Sequence, residues 1–368
     1  MHILIITPYT PDNQGVGVSY TSQLIIELAK EHSIDLVYFR YAEEKPYKPI
    51  SPNVRVLKEK VISTKDKLIG MLQQPLMFPL FSSRYDRNIR IFLQEQIKEV
   101  DYDFIYFDFS QTFSFAKYLN HPNKILMSHD VIAQKYARMK TYLRPWAMAS
   151  EKRLLRKGTI TFTFSEKDCK LLRLLYGIES KSTTFFLNKN VLAATPTMES
   201  NYYVFFGAWG REENSEGLVW FLDNVYNSLP QNICYKIIGG GMSNQLKKRI
   251  SELPNMEYLG FVDDPYPIIA NAKAEIAALH MGAGVKVKCV EALGSGTPII
   301  GTEVAFEGIG DEYRKYMIMA NTPQEYVDII NNYPFSLSDK IEAKRHFVES
   351  YNNKTILEYI NKKTLINY

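Results

Sequence analysis

Leu279-His280-Met281-Gly282-Ala283-Gly284-Val285-Lys286-Val287-Lys288-Cys289-Val290-Glu291-Ala292-Leu293-Gly294-Ser295-Gly296-Thr297-Pro298 carries the densest signal in this chain. The run Ala274–Ala278 before it has the short apolar form of a buried strand. A glycine loop follows, and the pattern predicts a helix from near Val285 to Leu293. Such a loop aims backbone N–H groups at one point, and the helix dipole favours an anion there. Gly282, Gly284 and Val285 would bring those amides close to a diphosphate. Lys286 and Lys288 add positive charge at the rim, and His280 stands where the strand ends. Lys288 and Glu291 are three apart on one helix face, so one could reach phosphate while the other accepts from a ribose hydroxyl. A solvated, charged helix end is the plainer alternative.

Outward from this stretch, short apolar runs alternate with helical patterns. Tyr203–Phe206, Cys234–Ile238, Met256–Leu259, Pro298–Gly301 and Met317–Met319 are further strand candidates, with Ser215–Ser228 and Asn244–Glu252 as helices between them. The first half repeats the theme. His2–Ile6, Ile34–Phe39, Val54–Val56, Phe104–Phe107, Lys124–Ser128 and Thr159–Phe164 have strand character, and Ser19–His32, Arg84–Val100 and Ala147–Lys157 helical character. Two β/α alternations in one chain predict two Rossmann-like, doubly wound α/β domains facing a central cleft. The expected division is 1–181, a linker over 182–202, a second domain over 203–332, and a helical segment over 333–368 packing back on the first.

Composition narrows the class. The 368 residues favour two domains, and 46% hydrophobic with 23% charged residues describes a packed globular protein. A net charge of +4 is too small to argue for nucleic acid. The cysteines Cys169, Cys234 and Cys289 form no CxxC pair, which suits a reducing, cytoplasmic setting. The apolar start Met1–Ile6 is too short for a signal peptide, and no run approaches the roughly 20 apolar residues of a membrane span.

The first half offers two candidates. Thr7 to Ser19 links the first strand to the first helix, and Gly15 and Gly17 there would let backbone amides approach a ligand. They would equally serve the turns of a plain loop. The loop is too long for a dinucleotide fingerprint, and no Gly-Lys-Ser/Thr makes it a P-loop. His129 follows the strand Lys124–Ser128 at its carboxyl end, where an imidazole can exchange hydrogen bonds with a substrate or simply support the fold. No ligand spacing supports a metal site.

The pattern from Gly282 through Glu291-Ala292-Leu293 and Pro298-Ile299-Ile300-Gly301-Thr302 to Phe306-Glu307-Gly308-Ile309 resembles the nucleotide-sugar site of GT-B glycosyltransferases, of the family-4 retaining type in its glycine-rich version. Phe205-Phe206-Gly207, Asn214, Trp220-Phe221, Ile237-Ile238-Gly239-Gly240-Gly241 and Gly260-Phe261-Val262-Asp263-Asp264 resemble other landmarks of that domain. The resemblance implies transfer of a sugar from a nucleotide diphosphate donor, with UDP favoured, to a glycan or lipid-linked glycan, without a bound metal or other cofactor. It implies that Lys286, Lys288 and the amides of Gly282 and Gly284 neutralise the leaving diphosphate, and that Glu291 holds the donor ribose. It also implies that His129 contacts the donor sugar, that Gly17 lies in a loop closing on the reacting groups, and that Arg211 binds phosphate.

One departure stands out. Many members carry a second glutamate where this chain has Ala283, so amides around Gly282–Val285, or His280, would have to hold the sugar. Glu212 and Glu213 beside Arg211 compete for its charge. On the acceptor side, Gln73–Tyr85 could line a groove or be packed core. Arg138, Lys140, Arg144, Lys152, Arg153, Arg156 and Lys157, with Tyr142, Leu143, Trp146 and Met148, fit a solvated helix or one resting on the inner face of a membrane. Two rival functions stay open: a nucleotide-sugar 2-epimerase, and a non-catalytic partner subunit that kept the fold.

Overall fold

A computed structural model describes residues 1–11, 16–139, 141–155, 159–351 and 355–366, with backbone alone for 16–19 and 363–366. The chain divides into two compact units. One is Met1–Phe186 joined by the helix Thr355–Ile366, and the other is Leu187–Tyr351.

The first unit holds β1 (His2–Thr7), β2 (Ser33–Arg40), β3 (Val54–Val61), β4 (Phe104–Asp108), β5 (Lys124–Ser128), β6 (Ile160–Thr163) and β7 (Ser180–Ser182). They form a seven-stranded sheet in the order β3-β2-β1-β4-β5-β6-β7, every pair parallel. Ile3 to Ile6 and Phe104 to Phe107 are buried without alternation, as strands covered on both faces must be. At the edge, β3 is mostly part-exposed and turns Arg55 and Lys58 outward, which blunts further pairing. The three-residue β7 was not expected from the sequence, because Ser-Lys-Ser has no apolar signal.

The second unit holds β8 (Tyr202–Phe206), β9 (Cys234–Ile238), β10 (Met256–Gly260), β11 (Glu275–Ala277), β12 (Ile299–Gly301) and β13 (Met317–Met319). Their order is β10-β9-β8-β11-β12-β13, again parallel throughout. Both sheets therefore reverse their winding once, between β1 and β4 and between β8 and β11. The crevice outside the carboxyl ends of the strands at such a reversal is where doubly wound sheets take ligands.

Two boundaries differ from the sequence expectation. Residues 182–202 are not a bare linker: the helix Lys189–Ala193 buries Val191 against Gly294, where a Cβ would come within 2.7 Å of its methyl. Residues 333–368 do not act as one segment either. The helix Leu337–Ser350 belongs to the second unit, and only Thr355–Ile366 joins the first. Lysines explain the former. Lys340 Nζ donates to the carbonyls of Ala270 and Ala272 at 2.7 and 2.5 Å, and Lys344 Nζ to Val191 and Gly294 at 2.9 and 2.5 Å. Each satisfies carbonyls at a helix C-terminus, where a cation also suits the dipole. Burial pulls both ammonium groups down to about 8. Thr355–Ile366 instead docks by Ile356, Ile360 and Tyr359, the last beside Phe104 and Phe162.

Candidate functional site

In the first unit the reversal point is lined by side chains. Asp108 ends β4 and is fully buried, and its carboxylate collects three donors. Thr7 Oγ1 at the end of β1 donates at 3.1 Å, Thr21 Oγ1 at 2.5 Å, and His129 Nε2 at 2.8 Å. The contact with the carboxylate uses Nε2 and fixes the ring, which leaves Nδ1 for another partner. Phe109 lies flat on that ring, with centroids 3.5 Å apart and planes within 8°, while Phe164 and Tyr20 meet it edge-on. Phe109 holds a left-handed φ of 56°, the only positive φ on a non-glycine among the described residues. Such strain persists only where surroundings over-determine it. Here Thr112 Oγ1 donates to the carbonyls of Asp108 and Phe109, at 2.8 and 3.0 Å.

In the second unit the reversal point is lined by backbone and by buried charge. Gly282 and Gly284 adopt φ of 103° and 69°, which other residues rarely do. The helix after them runs Val287–Gly294, two residues later than expected, because Lys286 is still extended at φ −86° and ψ 95°. Lys286 does not stand at an open rim: its Nζ donates to Gly284 O at 2.7 Å and Ala283 O at 3.2 Å, with Glu307 Oε2 at 4.0 Å. Lys288 also turns inward, to Glu275 on β11, at 3.8 Å. A fully buried carboxylate needs such a countercharge. Neither Glu275 oxygen has a hydrogen-bond donor, and burial pushes its carboxyl up to about 7 against the pull of Lys288.

Glu291 lies one turn further along. Its Oε1 accepts from Tyr266 Oη at 3.0 Å, and its buried Oε2 has no protein partner. Burial pushes this carboxyl up to about 7 as well; the Tyr266 hydroxyl opposes that and Glu275 adds to it. A carboxylate so placed has one oxygen held for orientation and one unused acceptor, which a hydroxyl ligand would fill.

The remaining candidates sit around this loop. His280 is exposed and packs on Trp220 at 4.6 Å, and burial of its inner face lowers its pKa. Arg211 is exposed at the start of the helix Glu212–Asn224. That helix lies hard against the end of β11, since a Cβ at Gly217 would come 2.3 Å from Ala278 O. Gly17 is in the helix Val16–Leu28, and Gly15 lies outside the described residues. Phe78, Phe81 and Tyr85 are core residues, which accounts for the aromatic run near residue 80. Asp108, Thr7, Thr21, Tyr266 and Glu275 escaped the sequence reading, for their partners are distant in the chain.

Residues 200–333 match the family model for glycosyl transferases group 1. Over the whole chain the backbone is similar to sucrose-phosphate synthase from Thermosynechococcus elongatus, at 12% identity and a TM-score of 0.74, covering 100% of both chains. The fold is GT-B. Anabaena HepE, solved in complex with UDP, is similar at 14% identity and a TM-score of 0.67, again over 100% of both chains. WaaG, a glycosyltransferase involved in lipopolysaccharide biosynthesis, has 12% identity and a TM-score of 0.66 over 99% of both. An uncharacterized 44.6 kDa protein from the cps region of Klebsiella pneumoniae is 27% identical over 180 residues, 44% of this chain. That match spans 45% of the Klebsiella protein, less than half its length. The glycine loop, Lys288 and Glu291 all fall in the part of this GT-B chain that the family model covers.

Proposed function

We propose that this chain is a family-4 type, retaining glycosyltransferase of the glycine-rich version, moving a sugar from a UDP-sugar to a hydroxyl of a glycan or lipid-linked glycan. The observation that carries this reading is the Gly282–Glu291 arrangement: a left-handed glycine loop, a helix N-terminus, two lysines, and a half-satisfied glutamate one turn beyond. HepE, solved with UDP-glucose, supports the choice of donor, and the Klebsiella cps-region relative supports a role in polysaccharide synthesis.

In this reading the amides at Gly282–Val285 and the start of the helix Val287–Gly294 take the diphosphate. Lys286 and Lys288, held beside the loop, stabilise the charge of the leaving diphosphate without a metal. Glu291 Oε2 accepts from a ribose hydroxyl, completing its hydrogen bonding. His129, fixed by Asp108 and clamped by Phe109, offers Nδ1 to a hydroxyl of the sugar. Amides at Gly282–Val285 stand in for the carboxylate that Ala283 lacks. The work belongs in the cytoplasm, where unpaired Cys169, Cys234 and Cys289 persist.

Ala283 also favours a second reading, a partner subunit that binds the nucleotide sugar without transferring it. The Asp108–His129 pair, at the reversal point where doubly wound sheets take ligands, favours the transferase reading. Incubation with UDP-sugars and membrane-extracted glycan acceptors separates the two: acceptor-dependent UDP release is expected. UDP-sugar binding with no release across an acceptor panel would decide for the partner subunit.

A further inference from the structure

Arg84 is the charged exception in a stretch that otherwise packs into the core of the first unit. Phe81, Ser82 and Tyr85 around it are buried. The backbone there presses on Gly70, where a Cβ would lie 2.5 Å from Ser82 O and 2.7 Å from Tyr85 O. With its neighbours anchored, the Arg84 side chain is carried inward and is only 6% exposed. Its Nε donates to Pro8 O at 3.3 Å, just past β1, and its Nη2 to Tyr41 Oη at 2.8 Å, just past β2. The guanidinium also lies over the rings of Tyr9 and Tyr41, 5.6 and 5.1 Å from their centroids. It therefore sits at the carboxyl edge of the sheet, the edge where doubly wound folds take ligands.

These partners are all neutral. Among the described residues no carboxylate stands within 4 Å of the guanidinium, and Nη1 has no acceptor. A desolvated guanidinium without a countercharge is costly, so buried arginines ordinarily have one. The acids nearby are engaged elsewhere. Lys60 holds Asp66 and Asp86 at 3.1 Å each, in the wall of a cavity of about 180 Å³ that Arg84 also lines. Glu44 accepts from the Tyr41 amide at 2.8 Å, and Glu59 is taken by Arg40. A second cation, Lys67, lies over Tyr41 at 4.6 Å. Burial raises the pKa of the Tyr41 hydroxyl, yet Arg84 and Lys67 together bring it below its ordinary value, which marks a positive surplus. Of the acceptor-side cations singled out in the sequence, Lys140, Arg156 and Lys157 lie outside the described residues.

Packed rings join this charge to the Asp108–His129 pair. Tyr9 meets Phe109 edge-on at 5.2 Å, with Gln111 Nε2 donating to its hydroxyl at 3.1 Å, and Phe109 is the ring stacked on His129. We propose that Arg84 selects an anionic acceptor: it binds a phosphate or carboxylate borne by the acceptor, whose reacting hydroxyl lies nearer His129. The anion supplies the missing countercharge and accepts from Nη1 in a charge-assisted hydrogen bond. That the anion belongs to an acceptor rests on the transferase reading; that Arg84 binds an anion does not.

Calorimetric titration of the full chain with galactose 6-phosphate, galacturonate and galactose, which share one ring and differ in charge, tests this without a donor. An anionic probe is expected to bind roughly tenfold or more tightly than galactose, and the tighter of the two tells a phosphate-bearing acceptor from a carboxylate-bearing one. Arg84→Gln should reduce that affinity to the level of galactose. Arg84→Lys, which keeps the charge and loses the planar fork, should weaken it by less and serves where the glutamine variant does not fold. Excess UDP should leave the binding in place, which sets it apart from an anion held at the glycine loop. Equal binding of all three probes by the parent, displacement by UDP, or either folded variant matching the parent would overturn the proposal. Anion binding that depends on Arg84, in a chain that releases no UDP from UDP-sugars, would uphold the anion site and sink the transferase reading instead.

Discussion

The seven-stranded sheet of the first unit and the six-stranded sheet of the second follow one winding plan, yet they end in different materials. At its reversal point the first presents side chains: a buried aspartate, two threonines and a stacked histidine, drawn together from β1, β4, β5 and the first helix. The second presents main chain: a loop with two left-handed glycines at a helix start, backed by buried glutamates. Side chains held by a network suit the orientation of a reacting group. Amides and a helix dipole suit charge that appears and leaves. Under the proposed function, chemistry falls to the first unit and donor anchoring to the second, and substitutions can set the two apart.

The largest effect is expected at Asp108. Asp108→Ala removes the acceptor of His129 and of both threonines, so turnover should fall on the order of a hundredfold with donor affinity nearly unchanged. UDP release and calorimetry, run side by side, check this. Equal losses in both would erase the division of labour.

Next comes Glu291→Gln. A carboxyl raised from 4.5 to about 7 in the folded state binds more protons there than in the unfolded chain. Its stabilising contribution is complete below the unfolded value and is lost as pH rises through the folded one. Glutamine cannot ionise, so the variant should be more stable than the parent by about 3 kcal/mol near pH 8 and by less than about 1 kcal/mol near pH 5. Melting curves at the two pH values test it. The same variant should bind UDP-glucose more weakly, a gain in stability bought from function.

Lys288→Ala should weaken UDP-sugar binding by roughly tenfold, about 1.4 kcal/mol, and leave the Asp108–His129 geometry untouched. Full affinity in this variant would confine Lys288 to its pairing with Glu275. The smallest effect is expected from Gly282→Ala. A Cβ there meets only the end of the Lys286 side chain, at 3.4 Å, so the cost is the left-handed φ, about 1 kcal/mol. Thermal denaturation should show a small drop, together with weaker nucleotide binding.

These two reversal points were not equally legible in the sequence. Loop glycines and the lysines and glutamate after them are consecutive, so their meaning survives without coordinates. The Asp108 network joins residues 101, 87 and 21 positions apart, and nothing local marks Asp108 as more than the end of an apolar strand. His129 was visible because it directly follows its strand. Most strands were legible as unbroken apolar runs, and β7, all polar, was not. The directions of Lys286 and Lys288 were hidden for another reason: what turns them inward is a buried glutamate on β11 and the loop's own carbonyls. The helix Leu337–Ser350 was misplaced because Lys340 and Lys344 resemble a solvated face until the carbonyls they cap are known.

Calorimetric titration with UDP-glucose, UDP, GDP and ADP, on the parent chain and on Glu291→Ala, tests the donor site most directly. Selective binding of the uridine nucleotides, weakened in the variant, is the predicted result. Absence of binding by every nucleotide, or equal affinity of parent and variant for UDP, would contradict the placement of the donor on the Gly282–Glu291 loop and helix.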